Sequence, residues 1–378
     1  MKKIYIANIG TEIGGIEKCL INFLKYLEEK DCEVDLALWK PNGPLYGEIP
    51  DFVNVLPSPG PGSLTQIRKE KNIPKRFVKI VKYVKFRIYN KLGCAWKSLP
   101  KNPKKYDIAI SYCQNGYSPY YLIDNVAANK KYLWYHELNY IETDKKKATD
   151  FLYFEKYDNI ICVSESCRNN LINAFPDLKE KFITLYNFYD FEEISTKANA
   201  ESNPFERANK KVILTVGRLS EEKGVELAVN SCKELLKYTD DFVWYWVGSG
   251  PEKANAEMSV KRLNLTDKMF FLGNKTNPYP FMKNCDLYVQ PSLSEAFCTT
   301  VIEAKVLKKP IVATNVDSIY EQISQTEYSV IVEKKPKEIA NAISSVLNYN
   351  RGFDIEYDMH EINNKDKYDE LFDWKKKH

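Results

Sequence analysis

The chain has 378 residues, beyond the roughly 250–300 at which a single hydrophobic core stops growing, so two domains are expected. Hydrophobic residues make up 44% and aromatic residues 13%, ample for packed cores, and the formal charge of +4 is nearly balanced. No run of about 20 apolar residues occurs, which excludes a membrane-spanning helix.

The first ten residues, MKKIYIANIG, hold two lysines and a short apolar run that leads straight into glycine, so they read as a strand rather than a signal peptide. Lys3 to Asn8 forms that strand. Gly10, Gly14 and Gly15 follow, and then an amphipathic helix from about Ile16 to Glu29, with apolar residues at helical spacing. Strand, glycine turn and helix make the phosphate-facing entrance of a Rossmann half. The glycines do not spell G-x-G-x-x-G, and the second strand, Glu33 to Trp39, ends without a carboxylate for a ribose hydroxyl. Both absences argue against an NAD enzyme.

Residues 41–66, rich in Pro, Gly and Ser, are expected to form a long surface loop. Residues 67–92 then carry ten Lys or Arg against one Glu, Glu70. From Phe77 onward, Ile80, Val81, Val84 and Ile88 share one helical face flanked by Lys79, Lys82 and Arg87. That is the composition of a helix lying on an anionic membrane, and equally of a helix packed on its own domain with solvated lysines. No recognition motif accompanies the charge, so nucleic acid is not an expected partner.

Further strands are expected at Ile108–Tyr112, Tyr132–Tyr135, Ile160–Val163 and Ile183–Leu185, with helices between them. His136 follows a strand end, where α/β sheets place their ligands, although a satisfied structural histidine fits the same position. Ser164 caps a helix. Residues 192–210 are polar and charged and read as a linker. The nine cysteines are scattered, odd in number and never form C-x-x-C. With only three histidines, the chain reads as a cytoplasmic protein with reduced structural thiols and no zinc site.

The second domain opens with a strand over Lys211–Gly217. Arg218 and Lys223 lie just beyond its end, a pair of cations able to neutralise a diphosphate. Strands follow at Phe242–Val247, Met269–Leu272, Leu287–Val289, Pro310–Thr314 and Ser329–Val332, and a helix at Pro336–Leu347. Repeated βα units imply parallel sheets. The stretch QPSLSEAFCTTVIEA, Gln290 to Ala304, runs from a strand end through a polar turn into a helix that starts near Phe297. Glu295 and Glu303 stand eight positions apart in it. Cys298, Thr299 and Thr300 would offer backbone N–H groups to a phosphate at the helix N-terminus. A carboxylate two turns deeper suits a vicinal diol such as a ribose. On spacing alone, a carboxylate at a helix start and a second on a solvated face fit equally.

Several of these motifs together resemble the retaining glycosyltransferases of family 4. They are Ser292-x-x-Glu295-x-Phe297 with Ile302-Glu303-Ala304, the complete Gly217-Arg218-Leu219-x-x-x-Lys223-Gly224, Gly248-x-Gly250-Pro251, and Gly14-Gly15-x-Glu17. The resemblance implies the GT-B fold, two Rossmann-like α/β domains with parallel sheets facing across a cleft. It implies an acceptor-binding domain over 1–191, a linker over 192–210 and a donor-binding domain over 211–362. A C-terminal helix within 363–378 would pack back on the first domain. By the same resemblance, Gly14 and Gly15 back onto the donor phosphates and acceptor, and Phe271 to Asn274 lie where the base is seated. Glu303 holds the ribose, Glu295 the sugar hydroxyls, and His136 the sugar from the other side. The substrate-binding set is therefore Gly14, Gly15, Arg218, Lys223, Phe297, Cys298, Thr299, Thr300 and Glu303, with Glu295 and His136 catalytic. Ala296 and Cys298 stand where the family has glycine, and Phe188 replaces the glycine of an Asn-Gly-x-Asp turn.

The expected reaction is metal-independent transfer of a sugar, with retention, from a nucleotide-diphosphate sugar (UDP favoured) to a hydroxyl acceptor. A lipid-linked glycan of bacterial surface polysaccharide is the expected acceptor. No cofactor or metal is expected, because no Asp-x-Asp follows a strand end. Two other classes remain. A GT-B nucleotide-sugar 2-epimerase would need catalytic carboxylates and histidines that this chain scarcely offers. A non-catalytic membrane-associated partner subunit would have no use for the intact Arg218, Lys223, Glu295 and Glu303.

Overall fold

A computed structural model describes residues 1–205, 210–348, 355–359, 362 and 364–374. The chain divides into two compact units, one of residues 1–189 with the segment from 362 on, the other of residues 190–361.

The first unit holds seven parallel strands: β1 (Lys2–Asn8), β2 (Cys32–Leu38), β3 (Val53–Leu56), β4 (Lys105–Ser111), β5 (Ala127–Tyr135), β6 (Asn159–Cys162) and β7 (Phe182–Thr184). Their order is β3-β2-β1-β4-β5-β6-β7, with Ile4 beside Ile108 and Leu36 beside Val55 in register. The inner strands are hydrophobic on both faces, as a parallel sheet covered on both sides requires. One face is covered by the helix Gly15–Glu28, whose Phe23 meets Tyr112 and Trp134 at 5.5 Å. The helix Lys365–Leu371 lies on the same side. Its Tyr368 is fully buried, its Asp369 accepts from Tyr26 and Lys30, and Asn364 donates to Tyr186 O at 2.7 Å. The other face is aromatic, with Trp96 stacked on Tyr120 at 4.4 Å and Tyr153 edge-on to both.

Two stretches differ from expectation. Residues 41–66 are more than a loop, because Val53–Leu56 adds an edge strand to the sheet and Leu64–Lys69 starts a short helix. Four residues are too few to show an alternating pattern in a Pro/Gly-rich setting. The stretch expected as a linker carries the helix Phe191–Asn199. Asp190 caps it by accepting from Glu193 N at 2.8 Å, and Ile194 and Ala198 are buried. Asn277 Nδ2 ties that helix to the second unit by donating to Lys197 O at 2.9 Å.

The second unit holds six parallel strands: β8 (Lys211–Val216), β9 (Phe242–Val247), β10 (Met269–Phe271), β11 (Leu287–Gln290), β12 (Ile311–Thr314) and β13 (Ser329–Val332). Their order is β10-β9-β8-β11-β12-β13. Helices Val225–Leu235 and Pro336–Leu347 pack with Trp244 and Trp246 on one face. Tyr288, Val301 and Ala304 pack with Phe281 and Met282 on the other. The strand order reverses between β8 and β11. Chains leaving those two strands diverge to opposite faces, opening a crevice at their carboxyl ends.

Candidate functional site

The loops that leave β8, β9 and β11 meet backbone to backbone at that reversal. Gly248 has φ +143, and a Cβ there would lie 1.9 Å from Gly217 O. Gly224 has φ +71, and its Cβ would lie 1.9 Å from Pro291 O. Both positions therefore combine a left-handed backbone with an approach that excludes a side chain. Hydrogen bonds hold the contacts: Leu219 N donates to Ser249 O at 3.1 Å, and Leu293 N to Glu222 O at 2.8 Å.

This closure brings Lys223 to Glu295. The ammonium donates to both carboxylate oxygens, at 2.6 and 2.7 Å. Burial pulls the Lys223 ammonium down, but the Glu295 charge beside it wins and holds it above the ordinary lysine value. Glu295 is buried and also accepts from Ser292 Oγ at 2.6 Å and Gln290 Nε2 at 3.2 Å. Gln290 Oε1 accepts in turn from Tyr288 OH at 2.7 Å and Thr300 Oγ1 at 3.1 Å. The Glu295 carboxylate is thus oriented by a connected polar chain, the condition under which a buried polar network rigidifies a site. Arg218 is exposed on the same loop. Burial works against the charge of Glu222, yet the Ser220 hydroxyl and the cations Lys223 and Arg218 hold that carboxyl below its ordinary range.

The helix after Glu295 begins at Thr299, two residues later than expected at Phe297, which is itself buried. Of the three amides expected to be open, Cys298 N–H is taken. It donates to Gln322 Oε1 at 3.0 Å, while Gln322 Nε2 donates to Cys298 O at 2.8 Å. A buried N–H at a helix start has no intrahelical acceptor and needs such a clasp, while the Cys298 carbonyl also accepts from Val301 N at 3.1 Å. Thr299 and Thr300, at the first two helical positions, have no intrahelical acceptor by geometry. Burial, reinforced by Glu295, pushes the Cys298 thiol well up, so it is no nucleophile. Glu303 is buried inside the helix and accepts from Tyr279 OH at 3.1 Å. Lys305 is buried behind it and donates to Gln322 O at 2.6 Å and Asp358 O at 3.1 Å. Burial brings its ammonium down to about 8.

Sequence reasoning placed Gln290 and Ser292 inside the motif without giving them a role, and it missed Gln322. The first two carried a signal, since a glutamine ending the apolar run Leu287–Val289 and a serine two residues on are polar groups at a strand end. Gln322 lies 24 residues from its partner and carried none.

In the first unit, Gly14 is the N-cap of the helix Gly15–Glu28, in extended conformation. His136 follows β5 and is half-buried. Its Nε2 donates to Tyr112 O at 2.9 Å, and its backbone N donates to Gln114 Oε1 at 3.0 Å. Since a carbonyl only accepts, the neutral ring carries its proton on Nε2 and leaves Nδ1 as an acceptor. Burial lowers the His136 ring from 6.5 to about 4, against the pull of the Tyr112 carbonyl. The unfolded chain therefore binds this proton at a pH where the folded chain does not. Stability from this group is complete above about 6.5 and is lost as pH falls towards 4. Melting temperatures measured across that window should fall more steeply for the wild type than for His136→Gln. Equal slopes would place the imidazole in water.

Residues 13–193 match the family described as Glycosyltransferase Family 4, and residues 197–366 match Glycosyl transferases group 1. A Campylobacter jejuni N-acetylgalactosamine-N,N'-diacetylbacillosaminyl-diphospho-undecaprenol 4-alpha-N-acetylgalactosaminyltransferase is 30% identical, over 48% of this chain and 48% of its own length. The Staphylococcus aureus capsular polysaccharide biosynthesis glycosyltransferase CapM is 28% identical, over 50% of this chain and 52% of its own. The chain spans about half the length of the curated relatives it matches. Among solved structures, Anabaena HepE in complex with UDP and glucose superposes with a TM-score of 0.68 at 18% identity, covering 98% of this chain and 96% of its own, a likeness of fold.

Proposed function

This chain belongs to the glycosyltransferases of the GT-B fold, through Glycosyltransferase Family 4 in its first half and Glycosyl transferases group 1 in its second, and on that premise we propose that it moves a sugar from a nucleotide-diphosphate sugar to a hydroxyl acceptor. The observation that carries the proposal is the Lys223–Glu295 pair, held at the β8/β11 reversal by loops built around Gly224 and Gly248. An ammonium fixed beside a carboxylate at a strand-end crevice can face a diphosphate while the carboxylate faces the hydroxyls of the attached sugar.

Lys223 and Arg218 stabilise the charge that develops on the leaving diphosphate, and the amides of Thr299 and Thr300 assist them. Two cations there do the work that a metal ion does elsewhere, so transfer proceeds in EDTA. Glu303 receives the ribose diol. Glu295 is tied by four donor contacts and acts by positioning the sugar, so transfer with retention does not use it as a glycosidase nucleophile. Neutral His136 serves as a hydrogen-bonding group for the sugar, and Gly14 and Gly15 border the acceptor. UDP is the favoured carrier, in keeping with the UDP bound by HepE. The acceptor is a lipid-linked glycan of bacterial surface polysaccharide at the inner membrane face. This agrees with the diphospho-undecaprenol named for the Campylobacter relative and the capsule named for CapM.

Calorimetric titration with UDP, GDP and ADP, with and without EDTA, tests the reading. UDP should bind best, EDTA should change nothing, and Glu303→Ala should weaken UDP by about a hundredfold, the loss of paired hydrogen bonds to a charged group. Failure of every nucleotide to bind the folded protein would sink it.

A further inference from the structure

The helix Ile73–Lys91 is 19 residues long, and none of its side chains is buried. It is nonetheless anchored on one side. Phe86 packs on the aromatic cluster of the first unit and stands edge-on to Tyr117 at 5.9 Å, Tyr117 donates to Asn90, and Tyr83 and Tyr89 are half-buried. These three rings recur every third residue and define the inner face. Phe77, Ile80, Val81, Val84 and Ile88 form a second apolar stripe. At about 100° per residue it is centred about 180° from Phe86. Phe77 is 65% exposed, Val84 49% and Ile88 53%. The outer stripe is exposed along its length and so lies outside the core of the first unit.

The charge around that stripe selects its occupant. The helix carries seven Lys or Arg and no Asp or Glu. Arg76 and Arg87 border one edge of the stripe, and Lys85 borders the other. The Asn72 side chain caps the N-terminus by accepting from Lys75 N at 3.0 Å, and Glu70 accepts from Lys79. No helix among the described residues is long and apolar enough to cross a membrane. An apolar face edged by cations, on a helix too polar to span, matches the boundary between anionic headgroups and acyl chains. A second copy of this chain would bring seven more cations against these seven, so self-association through the stripe is opposed by charge.

We infer that the outward face of Ile73–Lys91 is a membrane-docking surface, with Phe77, Val81, Val84 and Ile88 entering the acyl boundary and the flanking cations resting on anionic lipid headgroups. This deepens the lipid-linked acceptor reading by naming the surface that would hold the protein beside it. The surface rests on the helix alone and can fail or hold separately from the transfer activity.

Co-sedimentation of the full chain with vesicles of phosphatidylcholine, alone or mixed with phosphatidylglycerol, tests it, alongside UDP titration of the same preparations. The wild type should bind the mixed vesicles and leave pure phosphatidylcholine largely unbound. The variant Phe77→Ser/Val81→Ser/Val84→Ser should lose at least about tenfold in partitioning. Arg76→Gln/Lys85→Gln/Arg87→Gln should lose about fivefold per charge at low salt. All these positions are exposed, so melting temperature and UDP affinity should stay at wild-type values, which separates failure here from failure of the donor site. Unchanged binding in the serine variant would overturn the docking face and leave plain electrostatic adhesion. Dimerisation abolished by the serine substitutions would overturn it in favour of a second copy.

Discussion

Lys223→Ala is expected to lower sugar release from the donor by about 10²–10³-fold, the usual effect of removing one preorganised donor from a site of developing charge. The same change costs stability. Glu295 is only 6% exposed on its side chain and would be left buried without its cation, whereas Lys223 is 27% exposed and would be missed less. Removing one partner of a buried pair costs about 3–5 kcal/mol, and partial exposure on the lysine side brings the expectation to about 2 kcal/mol. The two effects separate in a cycle with Glu295→Gln. The double variant should recover most of the lost melting temperature, since no charge is stranded, and none of the lost turnover. If the double variant regained activity, Lys223 would be serving Glu295 alone and no diphosphate. Lys223→Arg is a finer probe, because a guanidinium can still pair with both carboxylate oxygens of Glu295 but is longer and planar, so the melting temperature should be largely kept while the placement of charge toward the diphosphate, and with it turnover, is lost.

Much of this was legible in the chain because parallel strands are buried on both faces and announce themselves as short apolar runs. The strands Phe242–Val247 and Ser329–Val332 and the helix Pro336–Leu347 fall where the sequence places them, each bounded by turn residues or a proline. Two kinds of feature did not show. Edge strand β3 is four residues long and takes its place by pairing with β2, a long-range event that leaves no local pattern. The state of the Cys298 amide depends on Gln322, which reaches the helix start from 24 residues away and is held there by Lys305. Spacing could name the two glutamates but not their company. The lysine that neutralises Glu295 lies 72 residues earlier, and only the closure of glycine-built loops brings it near. The basic helix shows the same division. Its charge was plain in the sequence, but which apolar stripe faces outward depended on Phe86 packing on the aromatic cluster, with Tyr83 and Tyr89 half-buried on the same side.

That closure makes Gly224→Ala the most damaging small substitution expected in the second unit. Alanine at φ +71 carries a left-handed penalty of about 1 kcal/mol. Its Cβ would also stand 1.9 Å from Pro291 O and 2.9 Å from Pro291 C, backbone atoms that no rotamer change can move aside. The loops must part, straining the bond from Leu293 N to Glu222 O and drawing Lys223, the preceding residue, off Glu295. The total cost should exceed about 3 kcal/mol, within the range known for backbone strain combined with overpacking. Urea unfolding should show the midpoint fall, and a folded remnant at low temperature should no longer bind UDP. Gly217→Ala is the contrasting case in the same loop. A Cβ there meets nothing within 4 Å and φ is not left-handed, so stability should stay within about 0.5 kcal/mol of wild type. Open space beside a loop glycine at the β8 end is where a diphosphate would approach the backbone, so Gly217→Ala should lose UDP affinity while keeping its fold. A Gly217→Ala protein that binds UDP normally would move the diphosphate away from this loop, and with it the roles assigned to Arg218 and Lys223.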